Sequence, residues 1–319
     1  MIQKPKIIIG ETQDFSPEVV KELSRFAEVE LKDCDIQEIP KALQECDVFW
    51  FRLAHKIDRS ILTTPNLRCK ILATPVTGID HIDENACAEA GIKIICLRGE
   101  TEFLRTVRAT AEMTVALALA LMRNLAEANI SVNSGIWNRD LFRGNELFGK
   151  TAGIIGYGRL GNIVADYFKA FGMKVIVYDI TQVKIAENIE LVKSIEELVS
   201  QSDLISLHVN YNSANHHLIN KDVFSKFKKD SFFINTSRGG IVDEIALLTV
   251  LENNLIKGAA LDVLSGEPNI TIEHPLIRYA QKNKNLLIVP HIGGNTYESF
   301  YKTENFIATK VLEEIKKLS

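Results

Sequence analysis

The sequence predicts an α/β fold made of two doubly wound units on parallel sheets. Three observations point there. The chain has 319 residues, a length that suggests about two domains. Short apolar runs alternate with segments of helical period along most of it. One stretch also reads strand, glycine turn, helix, strand, acid: Thr151 to Ile155, Gly156-Tyr157-Gly158-Arg159-Leu160-Gly161, Asn162 to Phe171, Val175 to Tyr178, and Asp179.

In chain order, Lys6–Ile9, Val48–Phe51, Lys70–Ala73 and Lys93–Cys96 read as short buried strands. Pro17–Phe26, Ile39–Cys46 and Ile82–Ala90 read as helices, with Asp80-His81-Ile82 as the start of the last. This alternation predicts a smaller, flavodoxin-like parallel unit. Thr106 to Ser134, dense in Ala and Leu, predicts one long helix packed between domains or at a subunit interface, ended by Gly135. The second unit begins at Thr151. After Asp179 it continues with helices at Ile195–Ser200, Lys221–Lys226 and Glu244–Asn253. Strands at Leu204–Val209, Ser231–Asn235, Gly258–Leu264 and Leu286–Val289 complete a six-stranded sheet. Thr296 to Ser319 predicts one amphipathic helix that returns to the first unit. The expected division is therefore 1–98 with 292–319, and 99–291.

Each part of the glycine stretch has a mechanical task. Gly156 permits the tight turn out of the strand. Gly158, lacking a side chain, lets a pyrophosphate approach the backbone. Gly161 allows close packing of the helix. The helix N-terminus offers free N–H groups and partial positive charge to phosphates. Asp179 ends the second strand where a ribose hydroxyl pair needs an acceptor. This is the pattern of a Rossmann-type dinucleotide unit; the bland alternative is a strand-turn-helix with no ligand.

Composition narrows the rest. Hydrophobic residues make up 46% and charged residues 24%, the balance of an ordinary globular protein. A net charge of −4 gives no basic excess for nucleic acid. Ile7-Ile8-Ile9-Gly10 is too short for a signal-peptide core. The longest apolar run, Met113 to Met122, falls short of the roughly twenty residues a membrane span needs. No nucleic-acid or membrane partner is expected. The five cysteines (Cys34, Cys46, Cys69, Cys87, Cys96) form no C-x-x-C pair and suit a reducing cytoplasm. The seven histidines show no metal-ligand spacing, and His216-His217 read as surface, so no metal site is expected.

Ligands on open parallel sheets bind beyond the C-terminal ends of the strands. Arg238, Glu267 and His291 each follow the end of a late strand. Singly they read as a solvated loop arginine, a turn and a structural histidine. Beside a dinucleotide fold they match one reaction. An arginine grips a carboxylate with a two-pronged fork. A histidine gives or takes a hydroxyl proton, and a carboxylate steadies the imidazolium. Arg52-Leu53-Ala54-His55-Lys56 follows another strand. Such a basic loop suits a phosphate or second carboxylate, or is simply solvated.

Four ordered motifs resemble the D-isomer-specific 2-hydroxyacid dehydrogenases along essentially the whole chain. They are Gly149 to Gly161, Asn235-Thr236-Ser237-Arg238-Gly239-Gly240-Ile241-Val242-Asp243, Ala260-Leu261-Asp262-Val263 with Gly266-Glu267-Pro268, and Pro290-His291-Ile292-Gly293-Gly294. The resemblance implies NAD as cofactor and a homodimer. It implies that Arg238 binds a 2-oxo acid, that His291 is the acid/base and that Glu267 is its partner. Thr236 and Asp262 would lie on the cofactor side, Asp262 near the nicotinamide carboxamide. The backbone of Val76, Thr77 and Gly78 would bind the substrate carboxylate.

This chain departs from many members at Gly78-Ile79-Asp80-His81, at His208-Val209-Asn210-Tyr211, and in the charged segment Gly99–Thr110 with Arg105 and Arg108. These departures leave the substrate open, 3-phosphoglycerate-like acids included. The chain ends soon after its last predicted helix, so no added regulatory domain is expected. A nucleotide-sensing corepressor on the same fold is the alternative of another class. A formate- or phosphite-oxidising enzyme is a second. Glu267 argues against the formate version, which carries glutamine there.

Overall fold

The computed structural model describes residues 4–317. Leu318 and Ser319, at the end of the expected last helix, lie outside the described residues. The chain divides into two compact units, Met1–Val107 with Thr296–Ser319, and Arg108–Asn295.

The first unit holds β1 (Lys6–Ile9), β2 (Glu28–Leu31), β3 (Val48–Trp50), β4 (Ile71–Ala73) and β5 (Lys93–Ile95). They form one parallel sheet in the order β2-β1-β3-β4-β5, the flavodoxin-like order. The second unit holds β6 (Thr151–Ile155), β7 (Lys174–Tyr178), β8 (Ile189–Leu191), β9 (Leu204–Leu207), β10 (Phe232–Asn235), β11 (Gly258–Leu261) and β12 (Leu286–Ile288). These pair in the order β12-β11-β10-β9-β6-β7-β8. The chain winds one way from β6 and the other from β9, so the neighbours β6 and β9 flank the switch point where such sheets bind ligands.

Strands buried on both faces, such as Ile7-Ile8-Ile9 and Leu204 to Leu207, are continuous apolar runs and are legible as such. Two of the four edge strands, β2 and β8, differ from expectation. Glu28–Leu31 and Ile189–Leu191 carry glutamates on largely exposed backbones, so they lack the apolar signature, and the second sheet has seven strands rather than six.

Three further expectations are corrected. The stretch 106–134 is two helices, Ala109–Met122 and Leu125–Asn133, with Asn124 left-handed (φ 54°) and a bend of 63°. Asparagine tolerates that conformation while leaving the apolar pattern unbroken. The first of the two packs Leu117, Ala118, Leu121 and Met122 into the core with Ile154 and Phe168, whereas the second buries no residue. No single helix among the described residues is long and apolar enough to cross a membrane. The helix near Ile82 starts at Glu84, because Asp83 rather than Asp80 caps it by accepting from the Ala86 amide at 2.9 Å.

The expected boundaries also shift. Residues 99–107 stay with the first unit: Phe103 stacks on Phe306 at 4.0 Å, Glu100 pairs with Lys310, and Lys302 Nζ donates to the Thr106 carbonyl. The last helix, Tyr297–Ile315, is capped by Thr296 and sends Ile307, Ala308, Val311 and Leu312 into the same core as Ile7 and Val48. All five cysteines are free. Burial pushes the Cys87 thiol up to about 11, away from the reactive range.

At the C-terminal end of β9, His208 puts Nε2 against Ser206 Oγ at 2.8 Å while its buried Nδ1 has no partner among the described residues. Burial pushes this imidazole down to about 3 from 6.5. The folded protein resists a proton that the unfolded chain accepts, so stability from this group is full above pH 6.5 and falls as pH drops towards 3. The slope is at most about 1.4 kcal/mol per pH unit. Denaturant unfolding at a series of pH values checks this: His208→Gln loses that component of the acid slope. An unchanged slope contradicts it.

Candidate active site

The glycine turn leaves β6 at the switch point. Gly156 has φ +91°, and a Cβ there would lie 2.5 Å from the His208 carbonyl oxygen. A Cβ on Gly161 would lie 2.0 Å from the Gly156 carbonyl oxygen, so glycine seats the helix directly on the turn. Gly158 is different: no atom lies within 4 Å of where its Cβ would be. It caps the helix Arg159–Ala170 without any side-chain hydrogen bond. Arg159 begins that helix, and burial, followed by repulsion from Arg108, pushes its guanidinium below its ordinary value. A helix N-terminus and two like-charged arginines form a place that favours an anion. Arg108, from the charged segment, was not among the residues assigned to the nucleotide from sequence.

Asp179 ends β7 beside the turn. Its Oδ2 accepts from the Tyr157 amide at 2.8 Å, and its Oδ1 accepts from Thr181 N and Oγ1 at 2.9 and 2.7 Å. A carboxylate offers about four acceptor positions, so it braces the turn and keeps capacity for a ribose hydroxyl. Tyr157 contributes backbone only, since its ring is packed in the core, and Leu160 packs against that core. The open cradle at Gly158, the uncapped helix and this acid fit a dinucleotide.

The three reactive-looking groups lie beyond the ends of β10, β11 and β12. After β10, Asn235 accepts from the Ser237 amide at 2.9 Å and donates to the Arg238 carbonyl at 3.0 Å. Ser237 Oγ donates to the Leu207 carbonyl, and Thr236 meets Thr114 hydroxyl to hydroxyl at 2.9 Å. Arg238, half-buried, donates from Nη1 to the Ser237 carbonyl. Gly239 lies so close to the next loop that a Cβ would sit 2.1 Å from Leu264 C and Ser265 N.

That next loop carries Glu267. Its Oε1 accepts from the Leu264 amide at 2.5 Å, and its Oε2 lies 2.5 Å from His291 Nδ1. His291 has φ +53°, a left-handed conformation uncommon for histidine. It is held there by Asp262, whose carbonyl accepts from the His291 amide at 2.7 Å. The Asp262 carboxylate takes the Ile292 and Gly293 amides at 2.7 and 2.9 Å. Burial pushes that carboxyl up, and the two amides and His291 oppose the shift. With Nδ1 engaged, His291 presents Nε2 to a ligand, and side-chain exposures of 28% for both His291 and Glu267 leave the pair reachable.

In the first unit, Val76, Thr77 and Gly78 follow β4, and none of their amides donates a hydrogen bond among the described residues. Arg52 sits in a network of its own. Nη2 is paired with the buried Glu304 at 2.6 Å, Nη1 donates to the Gln13 carbonyl, and the guanidinium stacks on Phe300 at 4.3 Å. These contacts orient the guanidinium, while Nε has no partner among the described residues.

A dinucleotide cradle thus stands at the switch point, with an arginine and a carboxylate-backed histidine at neighbouring strand ends. Residues 115–293 match the family model described as "D-isomer specific 2-hydroxyacid dehydrogenase, NAD binding domain". D-3-phosphoglycerate dehydrogenase of Methanocaldococcus jannaschii is 33% identical over 317 residues, covering 98% of this chain and 57% of that protein. Glyoxylate reductase of Thermococcus litoralis is 35% identical over 317 residues, 93% of this chain and 89% of that protein. The solved D-lactate dehydrogenase of Aquifex aeolicus, complexed with NAD and lactic acid, superposes with a TM-score of 0.83. It is 27% identical and covers 98% of this chain and 96% of its own. The chain belongs to the D-isomer-specific 2-hydroxyacid dehydrogenase family, and its second unit contains the NAD-binding domain. It spans about half the length of the phosphoglycerate dehydrogenases it matches. The corepressor alternative is not favoured.

The glycine geometry yields a contrast. Gly158→Ala adds a methyl into open space, so unfolding free energy stays within about 0.5 kcal/mol while NADH binding weakens at least about tenfold. Gly161→Ala forces the helix off the turn and destabilises by about 1–3 kcal/mol. Calorimetry with fluorescence titration of NADH checks both; equal NADH affinity in Gly158→Ala contradicts the cradle.

Proposed function

We propose that the chain moves a hydride between NAD and C2 of a small D-2-hydroxy or 2-oxo acid. The observation that carries this reading is the His291–Glu267 pair at 2.5 Å, exposed beside the Arg238 loop. Bound nicotinamide supplies or accepts the hydride. The remaining tasks fall to the chain. Arg238 grips the acid's carboxylate and polarises its carbonyl. In reduction, His291 donates the Nε2 proton to the C2 oxygen as that oxygen gains negative charge; in oxidation it removes the same proton. Glu267 holds Nδ1 and offsets the imidazolium charge. The unpaired amides of Val76, Thr77 and Gly78 suit a carboxylate. Thr236 and Asp262 stand on the cofactor side, though Asp262 chiefly holds the His291 loop. Arg52 is oriented by Glu304 with Nε unpaired among the described residues, so 3-phosphoglycerate-like acids stand beside those of the glyoxylate and hydroxypyruvate type.

NAD is preferred to NADP on this reading, because the Asp179 carboxylate repels a 2′-phosphate. A spectrophotometric screen of 2-oxo acids with NADH and NADPH tests the proposal. Turnover with NADH exceeds that with NADPH by about two orders of magnitude. His291→Ala lowers both directions by about two to four orders while NADH still binds. Arg238→Lys lowers kcat/KM severely although charge is kept, because lysine lacks the planar fork. Tight NADH binding with no turnover of any acid overturns the reading.

We also infer a homodimer in a reducing cytoplasm. The free cysteines support the compartment. Leu125–Asn133 and the segment after it expose Ile130, Trp137 (89%), Leu141 and Phe148 (76%), a contiguous-in-sequence apolar stretch that a second copy would cover. Light scattering should report a dimer, and Trp137→Asp with Ile130→Asp should shift it to monomer. A monomeric parent protein contradicts the inference.

A further inference from the structure

Behind the His291–Glu267 pair lies a second carboxylate–imidazole pair. Glu244 opens the helix Glu244–Glu252, whose cap is Asp243. Its Oε1 accepts from the Ser265 amide at 2.7 Å, and its Oε2 lies 3.3 Å from His274 Nε2. Both side chains are largely covered, 16% and 15% exposed. His274 Nδ1 is buried without a partner, so among the described residues the ring is directed only to Glu244.

The target of Glu244 is the informative point. Successive amides of one turn go to different carboxylates: Leu264 N–H to Glu267 and Ser265 N–H to Glu244. Gly239, from the Arg238 loop, rests against the same Leu264–Ser265 peptide. The Leu264 N–H belongs to the adjoining Val263–Leu264 peptide, joined to this one through the Leu264 φ and ψ, so fixing the Ser265 amide restrains the Leu264 amide that holds Glu267, and with it the oxygen facing His291. Burying Glu244 is unfavourable in itself: its carboxyl is pushed up by desolvation, and the charge of Glu267 adds to the effect. An alanine would avoid this penalty but would leave the Ser265 amide without its acceptor.

We propose that Glu244, steadied by His274, is the positioning residue of Glu267, acting through the Ser265 amide to hold the carboxylate against His291 Nδ1. The inference rests on the dehydrogenase reading of the His291–Glu267 pair. Both side chains are largely covered, and the role assigned to them is exerted through the Ser265 amide. Supporting groups of this kind typically change activity by about ten- to hundredfold.

Two readouts test it, one of them independent of turnover. In single-turnover reduction, Glu244→Ala lowers the hydride-transfer rate about ten- to hundredfold with NADH affinity unchanged. Glu244→Gln restores most of the rate, because its side-chain carbonyl still accepts from Ser265. On a Glu267→Gln background, Glu244→Ala adds little further loss, since its effect passes through the missing carboxylate. Proton NMR of the imidazole N–H region supplies the second readout. The downfield proton of the His291–Glu267 hydrogen bond persists in the parent and in Glu244→Gln, and is lost or displaced in Glu244→Ala. His274→Ala, a milder change should Glu244→Ala fail to fold, displaces the same proton.

An unmoved resonance in the folded variants, or a full multiplicative loss in the double variant, overturns the proposal. A parent protein inactive with every acid overturns the dehydrogenase reading instead, and the NMR comparison still decides the positioning role.

Discussion

The buried carboxylate of Asp262 is the joint on which the site depends. It stands at the end of β11 and takes the Ile292 and Gly293 amides, while its own carbonyl takes the amide of His291. Those three bonds impose a left-handed backbone on a histidine, a conformation with a penalty of order 1–3 kcal/mol that persists only where the surroundings over-determine it. The consequence is directional. The imidazole is delivered to Glu267 through Nδ1, which leaves Nε2 as its chemical face. Gly293 contributes by its smallness, since a Cβ there would lie 2.6 Å from Asp262 Oδ2.

Parallel-sheet geometry does the rest. Neighbouring strands β10, β11 and β12 end on one edge, so the loops that follow them converge without long excursions. Close backbone contact then replaces side-chain filling. Gly239 against the Leu264–Ser265 peptide joins the arginine loop to the glutamate loop, and Gly161 against Gly156 joins the helix to the nucleotide turn. Acids provide the complementary bracing by accepting backbone amides: Asp179 at the glycine turn, Asp262 at the histidine loop, Glu267 and Glu244 on one turn. A site framed in this way is rigid before any ligand arrives, which is the condition for electrostatic stabilisation without reorganisation.

Much of this was legible in the sequence where residue type alone dictates geometry. The glycines of the turn and the run of buried strands show directly. Elements whose signal is contextual were not legible. The edge strands β2 and β8 are polar because one side meets water, so no apolar run marks them. Asn124 breaks a helix through its backbone conformation while the Ala- and Leu-rich pattern runs on across it. Arg52 reads as a loop cation until the distant Glu304 is folded beside it. Glu244 reads as a good residue for a helix start, and its second task becomes visible only when Ser265 is seen to donate to it. Long-range partners of charged residues have no local signature.

On the proposed function, this constellation transfers a hydride to C2 of an oxo acid while a proton arrives from His291. Following deuterium from NADH labelled at nicotinamide C4 tests it most directly. With glyoxylate or hydroxypyruvate as acceptor, the account predicts that the label appears at C2 of the hydroxy acid. It also predicts the D configuration when C2 is stereogenic, and a primary isotope effect on the single-turnover rate. Oxidation of the cofactor with deuterium absent from C2, or with the L-acid as product, would contradict it.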